Sequence, residues 1–85
     1  MTGYDIVGEQ IKEYWKSHHI CDVVVLILVD GSEVETIAFC ESDSDPEHVT
    51  FLDDFWEGEE DVRVQKIKPL YEVLEIYRKL WRKIQ

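Results

Sequence analysis

The chain has 85 residues and a formal charge of −10. That length predicts one domain, residues 1–85, with a single core and little room for a deep substrate cavity, which weighs against an enzyme. A hydrophobic share of 45% and an aromatic share of 12% exclude a disordered chain, and the longest apolar run, Val23 to Val29, falls far short of the ~18 residues of a membrane span.

The first helix is predicted over residues 4–18. Tyr4, Val7, Ile11, Tyr14, Trp15 and His18 recur at helical spacing and make one stripe. Thr2 or Gly3 is placed to cap it, and Asp5 and Glu9 suit its positive end. Gly8 at the stripe's edge predicts close approach to a neighbour. Residues 20–29 are rich in β-branched side chains and predict a central strand. Asp30-Gly31 is the strongest short hairpin signal, and residues 32–41 form the returning strand.

A two-residue loop fixes the register of this hairpin. One face pairs Cys21 with Cys40, Val23 with Ala38, Val25 with Thr36 and Ile27 with Val34. The other pairs Asp22 with Phe39, Val24 with Ile37, Leu26 with Glu35 and Leu28 with Glu33. The first face, small and apolar, is expected under the helices. The second is expected either beneath another segment or at a contact surface.

Residues 42–48 form a loop by composition. Residues 49–56 read equally as an irregular strand or a short helical turn. Their Phe51, Leu52, Phe55 and Trp56 are expected to seek burial, with the second hairpin face as one place to find it. Glu57 to Asp61 is a turn, and residues 61–68 alternate as a further strand with a bulge near Gln65, where the parity slips. Pro69 is expected to open the last helix. Leu70, Val73, Leu74, Tyr77, Leu80, Trp81 and Ile84 would be its core stripe, and Arg78, Lys79, Arg82 and Lys83 its basic end. The expected fold is α+β and two-layered: an antiparallel sheet of three or four strands with N- and C-terminal helices, in the order α-β-β-(β)-β-α.

Charge is distributed unevenly along these elements. Residues 17–62 hold fourteen acids and no Lys or Arg, whereas residues 63–85 hold seven bases against two acids. The acidic middle would repel phosphates, so direct nucleic-acid binding is not expected. Its favoured partner is a basic protein surface or a cation. No basic stretch opens the chain, and two cysteines are few for a secreted scaffold, so a cytoplasmic setting is expected, with no membrane partner.

The residue types that carry chemistry lack the spacing for it. His18, His19, Cys21, Cys40 and His48 have no zinc-site spacing. Cys21 and Cys40 are near enough for a disulfide, but a cytoplasmic setting favours two reduced thiols. Asp43-Ser-Asp45-Pro-Glu47 begins like a calcium loop, yet His48 stands where glycine is required. The adjacent acids Asp53–Asp54 and Glu59–Glu60 come without the signs of a cleft that acid–base catalysis needs. No enzyme activity, cofactor or metal is expected.

The remaining candidate is the acidic, aromatic run 53–61. It resembles, as part of Phe51-Leu-Asp-Asp-Phe-Trp-Glu-Gly-Glu-Glu-Asp-Val62 followed by Ile67-Lys-Pro-Leu70, a segment of small acidic bacterial proteins, some of them from phage or mobile elements. In size and charge the chain is also similar to small phage-encoded inhibitors of the anti-CRISPR type. The expectation is a non-enzymatic protein-binding domain acting as a DNA-mimicking inhibitor. Asp43, Asp45, Glu47, Asp53, Asp54, Glu57, Glu59, Glu60 and Asp61 would supply the charge, and Trp56 an anchor. The alternative is a self-associating domain, a homodimer formed through Val24, Leu26, Leu28, Ile37 and Phe39. A metal-binding or enzymatic domain ranks third.

Overall fold

A computed structural model of the chain describes residues 1–41 and 46–84, with the backbone alone at Tyr77 and Ile84. Helix α1 spans Gly3–His18. Its apolar stripe buries Val7 and Ile11 completely. At its start the Asp5 carboxylate accepts hydrogen bonds from the Thr2 backbone N–H (3.1 Å) and hydroxyl (2.9 Å). These bonds hold the Asp5 pKa below the ordinary carboxylate value. The helix ends at His19, which turns left-handed (φ 55°) and donates its N–H to the Trp15 carbonyl at 2.7 Å.

Strands β1 (Val23–Val29) and β2 (Ser32–Cys40) form the hairpin. Asp30 and Gly31 both take positive φ, 51° and 82°, as a type I′ turn demands. The register is the one the two-residue loop dictates, from Val29 opposite Ser32 to Val23 opposite Ala38. Strand β3 (Val49–Phe51) pairs with β2, so the ambiguous segment 49–56 starts as a short strand and ends in a turn at 55–58. Strand β4 (Val62–Pro69) pairs with the other edge of β1. Its register shifts between Leu26–Lys66 and Ile27–Val64, leaving Gln65 as the bulged residue. Helix α2 spans Leu70–Ile84. The fold is therefore α+β, a four-stranded antiparallel sheet of order β3-β2-β1-β4 with a helix at either end of the chain.

Pro69 ends β4 rather than opening α2. It pairs with Val23 and is buried. The chain turns into the helix one residue later, where the Leu70 N–H donates to the Asp22 carbonyl at 3.1 Å.

One core lies between α1 and the first face of the sheet. Val7 and Ile11 meet Val23, Val25, Ile27 and Ala38, with Val49, Phe51, Trp56 and Val62 closing its edge. Phe51 packs edge-on against Trp56 (centroids 4.7 Å apart) and Tyr4 (6.0 Å). The segment after β3 thus covers the same face as α1. Leu52 and Phe55, expected inside, are exposed. Gly8 has open space where a Cβ would stand, so it serves no close approach. That role belongs to Gly3, whose Cβ would come within 2.5 Å of the Trp56 carbonyl oxygen.

The stripe of α2 does not join this core. The helix touches β1 and β4 on the sheet's second face. Leu74, Ile76, Leu80 and Trp81 remain between 50% and 60% exposed. Among the described residues no helix is long and apolar enough to cross a membrane.

Candidate acidic binding surface

The loop from Leu52 to Asp61 is tied to the body at every few residues. Leu52 donates its N–H to the Ile37 carbonyl at 2.9 Å. Thr36, a buried hydroxyl, accepts from the Asp53 N–H (3.3 Å) and donates to the Asp53 carbonyl (3.2 Å). The N–H groups of Glu57 and Glu59 close two turns onto the carbonyls of Asp54 and Trp56, each at 3.0 Å. The Glu57 carbonyl accepts the Tyr4 N–H at 2.9 Å, one of the amides that a helix start leaves without an internal partner. The Asp61 carbonyl accepts the Asp30 N–H from the hairpin turn at 3.1 Å. Six of the expected site acids, Asp53, Asp54, Glu57, Glu59, Glu60 and Asp61, therefore sit on one pinned loop, against the start of α1 and the β1–β2 turn.

Within the loop the two aromatics have opposite fates. Trp56, expected as the anchor of a partner, is fully buried. It roots the loop in the core and cannot make that contact. Its indole Nε1 is buried without a hydrogen-bond partner among the described residues, an arrangement that costs about 1–3 kcal/mol. Phe55 is 61% exposed and is the aromatic available to a partner. Sequence reasoning missed this exchange because nothing in two adjacent aromatics says which one turns inward.

Asp53, Asp54, Glu59, Glu60 and Asp61 are exposed, and Glu57 is half-buried. Burial first, and the charge of Asp54 second, raise the Glu57 pKa above its ordinary value. The ion pairs among the described residues, Lys16–Glu13 and Arg78–Glu75, both lie within helices, so no ion pair among the described residues involves the loop. Glu47 is exposed beyond the start of β3, bordering a shallow groove with Asp5, Glu9 and Lys12 of α1, and is not gathered into the loop. Asp43 and Asp45, and with them most of the calcium-like run, lie outside the described residues.

Cys21 and Cys40 are joined in a disulfide, which corrects the expectation of two reduced thiols. Their opposed positions in the hairpin place the Cα atoms 5.8 Å apart, within the reach of that bond. Neither sulfur is then a thiolate for zinc. Among the described residues no three His, Cys, Asp or Glu side chains are grouped to hold a metal ion. No family model, curated protein or solved structure matches this chain, so its functional reading rests on this geometry.

Proposed function

We propose that the chain is a non-enzymatic protein-binding domain whose acidic loop docks on the basic, nucleic-acid-binding surface of another protein and inhibits it by standing in for DNA. One observation carries this reading: six carboxylates lie on a loop without a base, held at Leu52, Asp53, Glu57 and Asp61 by hydrogen bonds to the body. A pinned loop loses little conformational freedom on binding, so its charges meet a partner already ordered. Opposite charge steers the encounter, and Phe55 supplies an exposed aromatic at its centre. The likeness in size and charge to phage-encoded inhibitors points the same way. A cytoplasmic setting belongs to this reading.

Affinity capture from host lysate tests it. The expected catch is one basic, nucleic-acid-handling protein, released by high salt and displaced by duplex DNA. The variant Asp53→Asn, Asp54→Asn, Glu59→Gln, Glu60→Gln should bind that protein about tenfold more weakly, roughly 1.4 kcal/mol. Capture that is indifferent to salt and to these substitutions would sink the proposal.

A second reading, self-association through the open sheet face, is favoured by the exposed apolar side chains of α2.

A further inference from the structure

The sheet face turned away from the core is patterned by charge as well as by hydrophobicity. The registers on either side of β1 align two mixed rows across it, Glu33–Leu28–Arg63 and Glu35–Leu26–Lys66. Acids stand on the β2 side and bases on the β4 side, with aliphatic side chains between them. The two signs are separated by two strand spacings, roughly 9–10 Å, too far to pair with each other. All four charged side chains are exposed, and none is in an ion pair among the described residues. Helix α2 lies toward β1 and β4, and an open, mostly apolar groove of about 350 Å³ remains between it and the sheet.

We infer that this face binds a second copy of the chain, related by a two-fold axis that runs along the strands. The inference makes the self-association reading specific and uses none of the loop 53–61 acids. A face with acids on one edge and bases on the other is complementary to itself in one face-to-face orientation. An axis parallel to the strands turns the acidic side of each copy toward the basic side of its partner. An axis across the strands would oppose acid to acid and base to base, at an electrostatic cost. The same rotation brings the partner's α2 over the β2 side, which the chain's own α2 leaves bare. There its apolar stripe fills the groove beside the chain's own α2. The result is an isologous interface with an apolar centre and a charged rim.

The test is the solution mass of the full chain by light scattering, together with two charge-reversed variants, Glu33→Lys/Glu35→Lys and Arg63→Glu/Lys66→Glu. Wild type should run at twice the single-chain mass of 10.1 kDa. Each variant alone should run as a single chain, because its reversed row meets like charge in its own copy. An equimolar mixture of the two should return to the dimer mass, since every acid then faces a base. A variant that had lost its fold would not re-pair, so recovery on mixing separates charge complementarity from damage. A wild type that stays monomeric at its highest attainable concentration overturns both this inference and the self-association reading. A wild-type dimer that either variant leaves intact overturns the inference alone and points to another face.

Discussion

At the scale of single residues, the two glycines of α1 make opposite predictions. Gly3 packs against backbone: an added Cβ would stand 2.5 Å from the Trp56 carbonyl oxygen, and that oxygen belongs to a loop held by hydrogen bonds. Gly3→Ala should therefore destabilise by about 1–3 kcal/mol, the usual range for overpacking. Gly8 faces open space, so Gly8→Ala should stabilise by about 0.5–1 kcal/mol through helix propensity and unfolded-state entropy. Chemical denaturation of both variants checks the pair, and the same sign for both would refute the packing at Gly3.

Glu57 and Asp5 differ in the sign of their pKa shift. Burial raises the Glu57 pKa, so its ionised form weakens the fold above that pKa, and the penalty disappears below the unfolded value near 4.5. Glu57→Gln should raise the melting temperature at about pH 7 and lose that advantage at about pH 4. Asp5 is shifted down by its bonds from Thr2, so its contribution is present above the unfolded value near 3.8 and fades as pH falls through the folded one. Asp5→Asn should therefore lower the melting temperature at about pH 7, with an effect that shrinks in acid. Melting curves of both variants across this range measure the two signs directly.

At the scale of elements, the hairpin was legible because its determinants are local. Asp30-Gly31 selects a turn that needs two positive φ values, a two-residue loop leaves one register, and the pleat then assigns every side chain to a face. The bulge at Gln65 was legible for the same reason, as a slip in period-two alternation. The disulfide lies at the open end of this hairpin and closes a sequence separation of 19 residues. Restricting the unfolded chain over such a loop contributes about 3 kcal/mol. Replacing both cysteines by alanine should lower unfolding stability by about that amount, and a reductant should do the same to wild type while leaving the double variant unchanged. Equal stability of oxidised and reduced wild type would show that the bond adds nothing. Helix α2 was legible as a helix and mistaken as a core element. Its stripe has the right period, but periodicity reports which side chains share a face, not whether another element covers that face.

At the scale of the whole molecule, α1 and one sheet face bury the core, while acids and bases are sorted to different places. The −10 charge concentrates in the middle of the sequence, and the fold carries part of it to the hairpin turn and the loop beside it. The opposite sheet face keeps both signs, because β2 belongs to the acidic stretch and β4 to the basic one. The two proposed surfaces thus use different charges and can be tested separately.

The residues alone determined the α+β order, the hairpin register, the bulge and the acidic run, because turn chemistry, alternation and charge are properties of neighbours in sequence. Only the tertiary structure decided that Trp56 goes inward and Phe55 outward, that Gly3 rather than Gly8 lies against backbone, and that the stripe of α2 stays open. Each of those depends on where a distant segment comes to rest, and a choice between two equally apolar candidates is settled by the space that segment leaves.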